Sequence, residues 1–552
     1  MDRFVDFKRS LAQKLKGDVS DRPADLQKMS RDTSIFERTP QLVVYPKSAD
    51  DVSKLVGEAV LARKSGIDVS LTARSAGTDM TGGPLTSSVS VVFTKYMNRV
   101  SNVSATCAES EPGVYYRDFE KETLRFGAIM PSYPASREIC AIGGMVANNS
   151  GGEKTLSYGK VENYVEEVDM VLSDGSKATF GPLTVKELNA KKKLASLEGS
   201  IYRGMHAMLI QNRSEVEKAK PKVTKNSAGY ALWSIENKIN KTFNLAKVIV
   251  GSQGTLGLIT KTKFCLVKPK KQHAMLIVFL SDIKELPEIV HKVLEFHPET
   301  FESYDDHTFS LAVRFLPQII SHLGFREAFR IGLSFLPEIG MVLRGGVPKL
   351  VLMAEFAEDT NEEAREKADL AAQALDGLPV STRIAKNESE AEKYWIIRRE
   401  SFSLLRKNLK GFYAAPFIDD IIIPVDSYPK FIPKLTKLLS EHKLVYTIAG
   451  HIGDGNFHII PLMDMKRDDV HTEIETLTPK VYELATQFGG SITAEHNDGI
   501  IRTPYLSMMF SAKMIELFAE TKKLFDPENL FNPGKKVGGT PADIKRFMIR
   551  KV

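Results

Sequence analysis

The residues best suited to chemistry lie at 450–458, which read GHIGDGNFH. His451 and His458 are seven positions apart, with small and turn-forming residues between them. Leu444, Val445 and Tyr446 precede this stretch, and Ile459 and Ile460 follow it. The pattern predicts strand, tight turn, strand. Gly and Asn tolerate positive φ, so such a turn can bring two imidazoles to one point. Neutral imidazole is a frequent metal ligand. Two histidines alone read as the polar tips of a hairpin. Downstream, adjacent Glu495 and His496 add a carboxylate ligand and a proton acceptor, which turns the reading towards a metal site.

The elements that must position these groups belong to a chain of 552 residues, too long for one hydrophobic core. With 43% apolar and 26% charged residues, the composition is that of an ordinary globular protein. A net charge of +6 is weak on this length and does not point to nucleic acid. Cys107, Cys140 and Cys265 are far apart with no CxxC, which argues against iron–sulfur and CxxC zinc modules. They read as buried thiols in a reducing compartment. No apolar run is long enough to span a bilayer, and Met1–Asp6 do not resemble a signal peptide. A cytoplasmic protein is expected. The tail at 544–552 interleaves basic and apolar residues, which leaves open a peripheral contact with the inner face of a membrane.

Three clusters of small residues punctuate the first half. Strand-like 69–73 runs into RSAGTDMTGG at 74–83, where successive backbone N–H groups could cradle a phosphate. The spacing fits neither GxGxxG nor a Walker loop. After Pro131–Ser136, IGGMVANNSGG at 142–152 has few side chains and would let a flat ligand approach the backbone. The third cluster, VGSQGTLGLIT at 250–260, is preceded by KNSAGY at 225–230. Ser48 should cap a helix to about Lys64, and Asp174-Gly175 marks a hairpin.

Together these clusters, HxGDGNxH, Glu495-His496 and FDPENLFNPGK at 525–535 resemble the FAD-dependent oxidoreductases of the vanillyl-alcohol-oxidase (PCMH-type) superfamily. The similar branch holds D-lactate dehydrogenase, the glycolate oxidase flavin subunit and D-2-hydroxyglutarate dehydrogenase. The resemblance implies an α+β fold: a two-lobed FAD-binding domain, an antiparallel-sheet cap and a C-terminal return segment. The expected division is an arm at 1–37, the FAD domain at 38–270, the cap at 271–505 and the return at 506–552. An apolar insertion at 315–347 has no assigned role.

By resemblance, Ser75, Ala76, Gly77, Thr78 and Asp79 would hold the FAD pyrophosphate through backbone N–H groups. Asp79 stands where the family usually has serine, so its side chain should point away from phosphate or meet a cation, leaving only its backbone to contact phosphate. Pro134, Ser136, Gly143, Gly144, Asn148, Asn149 and Gly151 would line the isoalloxazine and ribityl chain. Gly254, Gly257 and Ile259 would flank the adenosine. No histidine lies between Arg74 and Gly83, which implies non-covalent FAD. His451, His458 and Glu495 would bind a divalent metal such as zinc. His496 would be the general base, and Arg398 would grip the substrate carboxylate. Asn456 would hydrogen-bond substrate or flavin.

The implied activity is oxidation of a D-2-hydroxy acid to the 2-oxo acid. Ile418 stands where the 2-hydroxyglutarate members carry lysine, which favours a monocarboxylate such as D-lactate or glycolate. The electron acceptor would be a quinone, an electron-transfer protein or O₂. A homodimer, a flavin subunit of a larger complex and a D-2-hydroxyglutarate dehydrogenase remain open. An alkyl-dihydroxyacetonephosphate synthase would carry a His-rich triplet in place of HxGDGNxH.

Overall fold

The computed structural model describes residues 3–306, 308, 347–408, 411–442 and 444–549. The insertion expected at 315–347 lies outside the described residues except for Val347. No helix among the described residues is long and apolar enough to cross a membrane.

The first lobe starts from a four-stranded sheet in the order Asp18–Ser20, Leu42–Tyr45, Val89–Val92, Leu71–Arg74. Its last two pairings are parallel, so Leu71–Arg74 delivers the first small-residue loop at its C-terminal end. Helix Ala49–Lys64 covers this sheet, and the Ser48 side chain accepts the Asp51 backbone N–H as expected. A five-stranded antiparallel sheet follows, in the order Val100–Ser101, Cys107–Ser110, Leu258–Cys265, Val165–Val171, Lys177–Phe180. Gly175, at φ 82, closes the predicted Asp-Gly turn.

One expectation about the cysteines needs correction. Cys140 is buried, but Cys107 is half-buried and Cys265 is exposed. Though far apart in sequence, Cys107 and Cys265 sit directly opposite each other on antiparallel strands.

The second lobe is a seven-stranded sheet in the order Val380–Ile384, Gln272–Leu280, Leu350–Glu358, Thr300–Asp305, Ile448–His451, Asn456–Ile459, Ile421–Ile422. Alternation along Gln272–Leu280 divides its faces. Ala274, Leu276, Val278 and Leu280 pack in one core with helices Leu286–Leu294, Asn361–Ala374, Tyr428–Ser440 and Val470–Gln487. Met275, Ile277 and Phe279 meet Tyr394, Trp395 and Ile397 of helix Glu388–Asn408 on the other face. That second face also carries the histidines.

The chain then returns to the first lobe. Helix Ala512–Phe525 contributes Met514, Leu517, Phe518 and Phe525 to its core. The Asn532 side chain donates to Gly83 O at 3.0 Å and Gln253 O at 2.7 Å. The basic tail also packs inward: Ile544 and Met548 are buried, and Ile549 N donates to Ile35 O. These apolar residues of the tail are therefore engaged by the chain itself.

Candidate active site

Strands Ile448–His451 and Asn456–Ile459 form the predicted hairpin, with His451 opposite Asn456 and Ala449 opposite His458. Opposed residues share a face, as do residues two apart. His451, Asn456 and His458 therefore project together. Gly455 closes the turn at φ 84, where a Cβ would lie 2.2 Å from Ile423 O. The His451 and His458 rings stand 5.1 Å apart and perpendicular, and His458 lies 5.2 Å from His496. Glu495 Oε2 is 3.6 Å from His451 Nε2. One ligand atom from each of His451, His458 and Glu495 falls within 4.8 Å of the others. Two nitrogens and one carboxylate oxygen suit a first-row divalent ion and leave a coordination position open.

Four buried acids and bases fix this group. Glu302 is fully enclosed and accepts His451 Nδ1 at 2.6 Å on Oε1 and Arg398 Nε at 2.7 Å on Oε2. Burial alone would raise the Glu302 carboxyl, but His451 and Arg398 hold it at about 2. Burial likewise opposes protonation of His451, yet Glu302 lifts it to about 9. Lys225 reaches Glu495 Oε1 at 2.5 Å and Asp454 Oδ2 at 3.2 Å. Burial would raise the Glu495 carboxyl, but Lys225 and then His451 hold it well below its usual range. Oε2 remains for a cation.

Asp419 and Asp420 flank the site from the loop before Ile421–Ile422. Asp420 takes the left-handed region at φ 64, strained for a residue with a side chain, so the two carboxylates diverge. Asp419 Oδ1 accepts His458 Nδ1 at 3.2 Å, and Oδ2 lies 2.8 Å from His496 Nδ1. Asp420 instead holds backbone: it accepts N–H from Ala494 at 3.0 Å, Glu495 at 2.9 Å and His496 at 2.7 Å. Burial works against charging His496, but Asp420 and Asp419 raise it to about 9.

The same segment lies on the second small-residue cluster. Asn148 Nδ2 donates to Glu495 O at 2.9 Å, and Asn497 Nδ2 donates to Asn148 O at 3.0 Å and Gly251 O at 2.9 Å. A Cβ on Gly151 would sit 2.8 Å from Glu495 Oε1. The third cluster locks on as well, through Gly251 N to Val146 O and Gln253 N to Ala147 O.

The first loop fits a diphosphate. Among the described residues, the backbone N–H groups of Ser75, Ala76, Gly77, Thr78 and Asp79 have no internal acceptor. Asp79 turns its carboxylate inward, accepting Thr81 N at 2.7 Å, Thr81 Oγ1 at 2.8 Å and Gly83 N at 3.0 Å. Its charge is therefore engaged within the loop. Ser75 Oγ and Gly143 N both donate to Pro112 O, which brings the first two clusters together. The Asn148 Oδ1 atom is buried with no partner among the described residues, as a ligand-facing group would be. Gly144 adjoins Ser75, and the Pro134–Ser136 turn starts beside Gly152, where a Cβ would lie 2.1 Å from Tyr133 O.

Other expected residues find different employment. Asn149 Oδ1 accepts Glu162 N at 3.0 Å. A Cβ on Gly257 would lie 2.0 Å from Met170 Cε, and Ile259 pairs with Met170 in the sheet, so both have a packing reason. Gly254, at φ 67, lies beside Ala73. Asn456 is fully buried and donates Nδ2 to Asp420 Oδ1 at 3.2 Å and Ile421 O at 3.1 Å. It braces the acidic loop. Arg398 is held by Glu302, while Arg399 pairs with Glu153 at 2.7 Å. Ile418 packs in the core on the helical face, so the missing lysine at this position leaves no gap in the site. Its neighbour Asp419 is the residue that faces the histidines.

Sequence reading missed Glu302, Asp419, Asp420 and Lys225. Lys225 and the two aspartates lay inside noted motifs, but Glu302 had no local signal, because only the strand pairing Ser303 to Gly450 brings it beside His451.

Known proteins resemble this chain in sequence and in fold. A family model described as "FAD linked oxidases, C-terminal domain" matches residues 268–536, and one described as "FAD binding domain" matches residues 40–181. D-2-hydroxyglutarate dehydrogenase of Escherichia coli is 26% identical over 96% of this chain and 51% of its own length. The chain thus spans about half the length of that relative. Glycolate oxidase subunit GlcD of Bacillus subtilis is 25% identical over 91% of this chain and 90% of its own. D-lactate dehydrogenase of Archaeoglobus fulgidus is 25% identical over 91% and 95%. Among solved structures, 4-ethylphenol oxidase from Gulosibacter chungangensis shares the fold with a TM-score of 0.68 at 14% identity, covering 98% of each chain.

Proposed function

We propose that this chain, which belongs to the FAD-linked oxidases, is a metal-dependent dehydrogenase of D-2-hydroxy acids. One observation carries the reading: Glu495 belongs to a three-ligand group, Asn148 of the flavin cradle binds its backbone oxygen at 2.9 Å, and the next residue is His496. A metal ligand, a base and a cofactor wall thus meet within one short segment.

FAD, held non-covalently by the 75–79 loop and the 142–151 cluster, supplies the hydride acceptor. A divalent cation such as zinc at His451, His458 and Glu495 supplies the Lewis acid that lowers the pKa of an α-hydroxyl. The residues do the rest. His496, in its neutral form, takes the hydroxyl proton at the ring nitrogen turned away from Asp419. Glu302 keeps His451 oriented, and Asp420 keeps His496 at the right height. Arg398, anchored on one side by Glu302, attracts the substrate carboxylate with its remaining N–H groups. Asp419 gives the monocarboxylate preference a footing that Ile418 does not. An anion beside the histidines opposes a second substrate carboxylate, which favours D-lactate or glycolate over D-2-hydroxyglutarate. Electrons then leave to a quinone or an electron-transfer protein.

The test is anaerobic mixing of the FAD- and zinc-loaded protein with a panel of D-2-hydroxy acids while the flavin absorbance is followed. Bleaching by D-lactate or glycolate, faster than by D-2-hydroxyglutarate, is expected. No bleaching by any of them overturns the proposal.

A further inference from the structure

We infer that Asp419 is a positioning residue that sets the tautomers of two histidines at once, the metal ligand His458 and the base His496. The inference rests on the dehydrogenase reading for its catalytic consequence, but not for the geometry.

Asp419 is fully buried, and its two oxygens face two different rings: Oδ1 takes His458 Nδ1 at 3.2 Å, and Oδ2 lies 2.8 Å from His496 Nδ1. An ionised carboxylate only accepts. An imidazole nitrogen faces each of its two oxygens, so the group is placed to accept on both sides. In its neutral form each imidazole then carries its proton on Nδ1, which leaves both Nε2 lone pairs directed away from Asp419. A metal ligand needs a free lone pair, and so does a base. One acid therefore prepares both roles. The His496 contact is short but off-axis, and catalytic contacts of that kind align when substrate binds.

The loop is built to hold this carboxylate still. Arg502, fully buried, donates to Asp419 O at 2.7 Å, to Ile492 O at 3.1 Å and to Asn497 O at 3.0 Å. Asp420, at φ 64, turns the chain so that its own carboxylate faces the 494–496 backbone and Asp419 faces the rings. The His458 and His496 rings lie nearly parallel, 29° apart, as two side chains docked on one acceptor would.

Asp419→Asn separates this role from a merely structural one. Asparagine offers one acceptor and one donor, so only one ring can keep Nδ1–H directed at it. Flavin reduction at saturating substrate should slow by about 100-fold or more, in line with the loss of a tautomer-setting carboxylate, while KM changes less than about threefold. Zinc affinity, read by chelator competition, should fall about 10- to 100-fold, as for other groups that orient metal ligands. Asp419→Glu should not rescue either quantity, because a longer side chain cannot serve both rings from the same loop. If Asp419→Asn fails to fold, the native protein decides. Nitrogen-15 histidine spectra of the zinc-loaded enzyme should show Nδ1–H on both rings. Reduction and zinc affinity within threefold of the native values, or an Nε2–H tautomer at either ring, overturns the inference. If no hydroxy acid bleaches the native flavin, the dehydrogenase reading fails, while the tautomers and zinc affinity still judge Asp419.

Discussion

Glu302→Gln is the sharpest test of how the site is held. The carboxylate has no solvent contact, and it bridges His451 Nδ1 at 2.6 Å and Arg398 Nε at 2.7 Å. Its ionisation falls from 4.5 to about 2 because those two cations outweigh burial. At about 1.4 kcal/mol per pH unit, that gap is worth about 3 kcal/mol of folding stability. The sign follows from the depressed value. The contribution is fully present above pH 4.5 and is lost as pH falls towards 2. Glutamine keeps the shape but is neutral and accepts at only one atom, so both buried cations lose their counter-charge and one also loses its acceptor. The thermal midpoint of the variant should drop by about 2–4 °C at pH 7 on a chain of 552 residues. That drop should be constant between pH 5 and 8 and should shrink below pH 4.5, where Glu302 of the unfolded chain takes up a proton while the folded one stays ionised down to about 2. Zinc affinity should fall about 10- to 100-fold, because His451 loses the acceptor that orients it. Calorimetry and chelator competition read the two effects. A midpoint within 1 °C of native together with unchanged zinc affinity would refute the reasoning.

Three further outcomes are expected. Gly151→Ala places a Cβ 2.8 Å from Glu495 Oε1 and Thr155 Oγ1, so the carboxylate must shift. Zinc binding should weaken at least about tenfold, as chelator titration would show, and unchanged zinc affinity would refute this. Asp32, whose carboxyl is raised far above its usual range by burial and then by Asp79, favours its protonated form in the fold. Stability from that acid therefore declines as pH rises from about 4 to 8. Asp32→Asn should raise the thermal midpoint more at pH 8 than at pH 5.5, and an equal effect at both would refute this. Cys265 N donates to Tyr164 O on its other neighbour, so the Cys107–Cys265 pair is a non-hydrogen-bonded one with Cα atoms about 4.5 Å apart, within disulfide reach. Oxidised glutathione should join them, losing two thiol protons to two glutathione thiols. A non-reducing peptide map without that cross-link would refute it.

Much of the fold was legible because its signals are local. The Ser48 cap, the Asp-Gly turn and the GHIGDGNFH hairpin each depend on residues a few positions apart, and each formed as the spacing predicts. The three small-residue clusters stood out because each is a contiguous motif, and the fold brings them together. What sequence could not show is the long-range bracing. Glu302 meets His451 across 149 positions through sheet register, and Asn148 meets Glu495 across 347. Ile418 shows the reverse failure. Its place in a motif suggested a site residue, but a bend at strained Asp420 turns Asp419 to the histidines and leaves Ile418 in the core. Asp79 turns its carboxylate onto three donors within its own loop, an arrangement that motif spacing alone does not reveal.

The Asn148–Glu495 bond has a thermodynamic consequence. Glu495 offers its side chain to the proposed metal site, while its backbone hangs between Asp420 and Asn148. A cofactor that orders residues 148–151 also fixes the height of Glu495 Oε2 opposite His451. FAD and metal binding are then coupled, and the coupling is reciprocal: FAD must raise zinc affinity by the same factor by which zinc raises FAD affinity. A factor of about five or more is expected from coupling of the usual size, on the order of 1 kcal/mol. Titrating zinc into the apoprotein and the flavin-loaded protein gives one factor, and titrating FAD with and without zinc gives the other. In Asn148→Ala both affinities should weaken and the factor should fall towards one. A native factor near one would mean that the two halves of the site are built side by side without sharing a frame.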